Sequence, residues 1–281
     1  MTLVFLSILI LGFFAEKFAH YIPYSVEVSA TSNFDLPFNN NEETQDPQSA
    51  EIEAYLQSLA ERIVKTQGLP DEMKITVHYV NNDTVNAFAT LGGHIVFFRG
   101  LLEQLTSENA LAMVMSHEIA HVKHRHPIAS MGRAVVIGLT ISVIAGSTDN
   151  NTLGNLLGDA GLLTSLTFSR DMEREADKTA LQSVVSLYGH TAGTKTLFKI
   201  LQSSEAKENI RAPEFLSSHP GTKNRIENID KMATTLNWKT TGEITALPEE
   251  IKTYFNTEDT GKNIKNLKNN IDADECSDTG M

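Results

Sequence analysis

One apolar run, Ala110 to Val122, carries Ser116-His117-Glu118-Ile119-Ala120-His121. Its length and pattern read as a buried helix. Residues four apart on a helix stack on one face about one turn apart, so His117 and His121 point the same way. Two imidazoles on that face can hold one zinc ion. Glu118 then sits beside the metal, where a carboxylate can take the proton of a metal-bound water. Thr106, Ser107 and Glu108 supply cap and first-turn chemistry, and Pro127 disfavours helix at His126. The competing reading is a core helix that happens to carry two histidines.

The rest of the chain bounds what such a helix can serve. With 281 residues there is room for one large domain or two small ones. A net charge of −12 argues against a nucleic-acid partner, because no basic face could offset the phosphates. The single cysteine, Cys276, permits no internal disulfide, so a zinc site must use nitrogen and oxygen ligands. Leu3 to Ala15 is almost wholly apolar, yet short of the about 20 residues usual for a membrane span. Residues 1–22 are expected to be a membrane anchor or uncleaved signal-anchor, with a cleaved signal or a buried helix as alternatives. Residues 23–47, rich in Asn, Ser, Thr, Asp and Pro, read as a linker. The Asn-, Lys- and Asp-rich residues 257–281 read as a disordered polar tail.

Between them, residues 48–256 carry the periodic segments. Ile52, Tyr55, Leu56, Leu59, Ile63 and Val64 form one helical stripe that closes at Gly68. Lys74–Val80, Val85–Thr90 and His94–Phe98 read as three strands, the last two joined by a reversal at Gly92-Gly93. Ala134–Ala145 reads as a core helix over the site, with a membrane-dipping helix as the alternative. Leu153–Leu166 is a further apolar helix, and Ser169–Leu187, Thr191–Ser203 and Thr222–Leu236 are helices too. His124 and His126 are expected on the surface, at the exit of the motif helix.

Two histidines leave a catalytic zinc one protein ligand short. The best donor lies in Glu173-Arg174-Glu175-Ala176-Asp177, where Glu173 and Asp177 share a helix face. One carboxylate can bind zinc while the other accepts a ring N–H from a ligand histidine. A solvated helix face would read the same way. Glu175 lies about 200° around the helix from Glu173 and is expected to face away.

Six blocks occur in order: Asn86-Ala87-Phe88-Ala89, Gly92-Gly93-His94-Ile95, Arg99-Gly100-Leu101-Leu102, His117-Glu118-Ile119-Ala120-His121, the Glu173 block, and Ser218-His219-Pro220. Together, over roughly residues 48 to 236, they resemble the zinc metalloendopeptidases of the CAAX prenyl protease and HtpX heat-shock protease family. The resemblance implies that His117, His121 and Glu173 bind one zinc ion, that Glu118 is the general base and that Asp177 orients a ligand histidine. It implies an α+β fold: a mostly helical, gluzincin-type zincin domain with a small three-stranded sheet beside the active-site helix. In some family members the histidine matching His219 can occupy the open metal position. Here it is either that or a loop histidine capping the next helix, and Arg225 is a candidate oxyanion stabiliser or a structural residue.

The expected activity is zinc-dependent hydrolysis of unfolded or misfolded envelope proteins, with broad specificity. Asn86, Ala87, Phe88, His94, Ile95 and Val96 are the expected substrate-binding residues, with His94–Phe98 as an edge strand beside which an extended peptide lies. With at most one clear anchor, the chain departs from the multi-span prenyl proteases. It looks more like a membrane-anchored, envelope-facing branch, its catalytic domain extracytoplasmic. The alternative is a chaperone-like or scaffolding zinc protein that binds unfolded segments without cutting them.

Overall fold

The computed structural model describes residues 2–32, 47–144, 166–205, 214–219, 222–249 and 251–252. Ten helices and three strands are seen among them: α1 (Thr2–Ala19), α2 (Tyr24–Ser32), α3 (Pro47–Gln67), β1 (Thr76–Val80), β2 (Ala87–Ala89), β3 (His94–Phe98), α4 (Arg99–Leu102), α5 (Glu108–Lys123), α6 (His126–Ile144), α7 (Arg170–Tyr188), α8 (Thr196–Glu205), α9 (Glu214–Ser218) and α10 (Thr222–Thr235). This is the mostly helical α+β domain with a small three-stranded sheet that the motifs imply.

Helix α5 carries the His-Glu pair and is the axis of the fold. Every residue from Glu108 to Val122 is buried, so it is apolar on all sides because it is surrounded on all sides. Ser107 caps it, its side chain accepting from the Ala110 N–H. Glu108 ties the first turn to α3 and α7. Its carboxylate accepts from Tyr55 Oη at 2.8 Å, Tyr188 Oη at 2.7 Å and Arg62 Nη1 at 2.9 Å. Burial would raise its pKa, but the two hydroxyls and Arg62 outweigh it and hold the carboxyl below its ordinary value. The negative charge also suits the helix N-terminus. Around α5 pack Ile52, Leu56, Leu59 and Ile63 of α3, Ala180, Leu181 and Val184 of α7, and the sheet.

Alternation sorts the sheet's faces. Val77, Tyr79, Ile95 and Phe97 join the main core, while Val80, Phe88 and Val96 join a second cluster with Ala19, Ile128 and Phe168. Gly92 and Gly93 both sit at positive φ, 69° and 82°, as the β2–β3 reversal requires. A Cβ on Gly93 would lie 2.0 Å from the Lys74 carbonyl.

The strand order corrects one expectation. It is β1-β3-β2, with β1 parallel and β2 antiparallel to β3. His94–Phe98 is therefore the central strand, both its edges taken, and the short β2 is an edge instead.

Two further differences concern the helices. The segment read as a linker from residue 23 begins with α2. Buried Glu27 of that helix pairs with Arg125 at 2.5 Å and lies 3.5 Å from the Gly92 N–H. Arg125 in turn donates to the Ile22 carbonyl at 2.8 Å and adopts φ 59°, so the chain turns sharply between α5 and α6. Helix α6 is not a core helix over the site: Ile128, Ala129 and Met131 are buried, but Ile137 is exposed and the helix runs along α1. The reason is Pro127, tolerated in the first helical turn, which starts a new direction after Arg125. Among the described residues no helix is long and apolar enough to cross a membrane. The expected helix over 153–166, all but its last residue, and the tail over 257–281 lie outside the described residues.

Candidate metal centre

Four side chains from three elements converge: His117 and His121 of α5, Glu173 of α7 and His219, which follows α9. Their ligand atoms all lie within 4.8 Å of one another, and all four residues are buried. His117 Nε2 is 2.9 Å from His121 Nε2 and 3.4 Å from Glu173 Oε2, and His121 Nε2 is 3.4 Å from Glu173 Oε1. His219 Nδ1 is 3.0 Å from Glu173 Oε1 and 3.3 Å from His117 Nε2. Its ring also stacks on Phe215, with centroids 4.5 Å apart. His219 thus faces the cluster and does not cap the following helix.

Glu118 lies beside the cluster, between it and β2. Its Oε2 accepts from the Ala89 N–H of β2 at 2.9 Å, while its Oε1 lies 3.5 Å from His219 Nε2. Burial pushes the Glu118 carboxyl above its ordinary value, although His219 and His117 pull against it. Glu118 Oε1 and His219 Nε2 are buried without a hydrogen-bond partner. Buried polar atoms are seldom left so, and two of them beside a histidine–carboxylate cluster fit a site built around a cation. Two imidazoles and a carboxylate with no thiolate suit catalytic zinc, which keeps three protein ligands and one open position.

The electrostatics agree with that fit. Burial opposes ionisation of Glu173, but His219, Arg225 and His117 outweigh it and hold its pKa well below the ordinary value. Burial and Arg225 likewise oppose a charged His117, yet Glu173 and Asp177 prevail and push it up to about 9. What attracts that proton also favours a cation, and a metal held by His117, His121 and Glu173 would compete with the proton for the His117 ring. His121 is held well below its ordinary value, by burial first and then by His117.

Around these sits a supporting layer. Asp177 Oδ1 is 3.1 Å from His117 Nδ1, which aims the opposite nitrogen into the cluster. Arg225 forks onto Asp177 at 2.9 and 2.6 Å, reaches Glu173 at 2.8 Å and lies over the Phe198 ring at 4.4 Å. Its donors are occupied by carboxylates already in place, which speaks for positioning and not for holding a substrate oxygen. His94 pairs with His78 at 2.9 Å and is no part of the cluster.

His126 overturns the surface reading. It is buried, and its Nδ1 lies 2.9 Å from His121 Nδ1, with Glu175 3.4 Å from its Nε2. Burial, helped by His124, pushes its pKa down to about 4. A neutral ring can accept the His121 Nδ1 proton and so fix His121 Nε2 as the metal-facing nitrogen. The left-handed turn at Arg125 folds His126 back, and no helical period could have foretold that. Phe168, stacked on His121 at 3.9 Å, was equally invisible. His124 is partly exposed and bonds Thr179, and Glu175 is mostly exposed. Replacing His126 with Ala is expected to weaken zinc binding about 10–100-fold in competition with a chromophoric chelator. Unchanged affinity would mean that the ring only fills space.

A helical α+β domain with a buried cation site on one helix turn has the build of a zincin. Residues 50–233 match the model of peptidase family M48, and the chain belongs to that family. It is 32% identical over 178 residues to mitochondrial metalloendopeptidase OMA1 of Schizosaccharomyces pombe, covering 63% of this chain and 52% of that protein. To OMA1 of Saccharomyces cerevisiae it is 30% identical over 196 residues, 66% of this chain and 56% of that protein. To the beta-barrel assembly-enhancing protease of Escherichia coli it is 29% identical over 185 residues, 61% of this chain and 37% of that protein. The chain spans about half the length of these OMA1 proteins. Such relatives support the family at large, and the narrower likeness to CAAX prenyl and HtpX proteases goes beyond them.

Proposed function

We propose that the protein is a zinc-dependent endopeptidase that hydrolyses unfolded or misfolded polypeptides at a membrane of the cell envelope, with its domain on the extracytoplasmic side. The observation that carries this reading is Glu118, held by β2 on one side and close to the histidine cluster on the other. His117, His121 and Glu173 would hold the ion. Zinc bound there supplies Lewis-acid chemistry, acidifying water and polarising the scissile carbonyl. Glu118 takes the proton of the attacking water and hands it to the leaving amine. Asp177 and His126 keep the two imidazoles in register, and Arg225 holds Asp177 and Glu173.

The substrate would pair with β2 and not with β3. Phe98 N–H bonds the Asn86 carbonyl, and Thr90 N–H bonds the His94 carbonyl, so residues 86, 88 and 90 face β3. By alternation Ala87 and Ala89 turn their main-chain groups outward. Ala89 N–H is taken by Glu118, which sets the base beside the strand where an extended peptide can add. Main-chain pairing reads no sequence, hence broad specificity. Protein quality control at a membrane rests on the family resemblance; the relatives' names say only a mitochondrial metalloendopeptidase and a beta-barrel assembly-enhancing protease.

Chelation is expected to stop cleavage of casein, and one equivalent of zinc to restore it. Cleavage that survives an apo preparation verified by metal analysis would refute the proposal. In this reading His219 would occupy the position that water or a carbonyl must take, and the site would be closed as it stands. His219→Ala is expected to raise casein cleavage several-fold, whereas a fall to background would make His219 a required ligand. The second reading, a zinc protein that binds unfolded segments without cutting, draws on that same closure.

A further inference from the structure

Helices α1 and α6 pack against each other in an unusual way. The face of α1 turned to α6 is small: Gly12, Ala15 and Ala19, set against Gly132. A Cβ on Gly132 would lie 3.3 Å from the Ala15 carbonyl, so the two backbones approach closely. Among the described side chains, six large apolar ones point outward instead. Ile10, Leu11, Phe14, Phe18 and Tyr21 are 46, 54, 49, 62 and 83% exposed, and Ile137 of α6 is 38% exposed. These six are more than half of the ten large apolar side chains left exposed among the described residues. The spacing of Ile10, Leu11, Phe14, Phe18 and Tyr21 is that of one helical stripe, and the rings of Phe14, Phe18 and Tyr21 follow one another at 6.0 and 6.2 Å.

A helix pair meant for water does the reverse, burying large side chains and showing polar ones. Small residues inside with large apolar residues outside is what a bilayer selects, because lipid tails are as apolar as leucine and only close packing holds the helices together. We propose that α1 and α6 form one monotopic docking unit that enters a single leaflet of a lipid bilayer. This extends the membrane attachment proposed above and is independent of the peptide-bond chemistry.

Length and charge set the depth. The apolar run Leu3–Ala15 is roughly 20 Å of helix, against about 30 Å of hydrocarbon, enough to enter and too little to cross. Glu16 and Arg133 pair across the two helices at 3.0 Å, just where the run ends. Lys17, Phe18 and Tyr21 follow, a cation and aromatic rings at the level expected of headgroups. Helix α6 starts at His126, which touches His121, and Ile137 lies about 16 Å further along the helix from His126. Docking therefore fixes the height of the site above the leaflet.

The full chain, free of detergent, is expected to float with phosphatidylcholine vesicles. Phe14→Ser/Phe18→Ser/Tyr21→Ser is expected to float at least tenfold less with casein cleavage and melting temperature kept. Wild-type protein that stays at the bottom of the gradient, or a triple variant that floats like wild type, overturns the proposal. So does a dimer in light scattering that the triple variant abolishes without any vesicle binding, since a second copy then covers the stripe. Phe18→Trp and Ile137→Trp are both expected to be quenched by acyl-brominated lipid above the background of Trp238. Quenching at residue 18 alone would confine insertion to α1 and refute the paired unit.

Discussion

Glu118→Gln is expected to lower casein hydrolysis about 10²–10⁴-fold, the range for loss of a positioned general base, while zinc remains bound at one equivalent. The exchange is nearly isosteric. Its amide oxygen can still accept from the Ala89 N–H, and no residue of the cluster changes. What disappears is the capacity to take a proton. A binder without hydrolytic activity has no use for that capacity, so the same variant separates the two readings of function. If the variant still binds unfolded casein and cuts nothing, the peptidase stands. If it cuts at more than about a tenth of the wild-type rate, Glu118 is not the base, whichever residue is.

Arg225→Met is expected to be the most destabilising single change in the site, at about 3–5 kcal/mol. Arg225 is buried and neutralises two buried carboxylates, Asp177 and Glu173. Removing the one permanent cation leaves the two buried carboxylates with only histidine partners, and such under-compensated charge costs more than the intact group contributes. Methionine keeps the packing on Phe198 while removing the charge. For a domain of this size the loss corresponds to a fall in melting temperature of roughly 10 °C. Arg225→Lys is expected to recover only part of it, because an ammonium cannot fork onto both oxygens of Asp177. A melting temperature within about 2 °C of wild type for Arg225→Met would show that the carboxylates do not need it. Saturating zinc is expected to offset part of the loss by mass action, as the cation supplies the missing charge.

Much of this was readable along the chain, for reasons that are local. Helix α5 announces itself by an apolar run with a serine cap, and the three strands by alternation between turn residues. The close spacing of Glu173 and Asp177 puts both carboxylates on one face of α7, where they meet His117. What escaped depends on contacts between distant segments. Nothing within His94–Phe98 tells that it will pair parallel with β1 on its far side, so the sequence reads it as an edge. It is apolar because it is central. His126 escaped because the helix that would have predicted its direction ends three residues earlier. Arg225 and Phe198 come from separate helices, and only packing shows the cation over the ring.

Glu27 reaches back into the domain from before the matched family region, which starts at residue 50. It neutralises Arg125, the residue whose left-handed turn delivers His126 to His121. The packed unit is therefore wider than the matched one. A protein trimmed to the family boundary would keep every ligand and lose the clasp that shapes the ground beneath one of them.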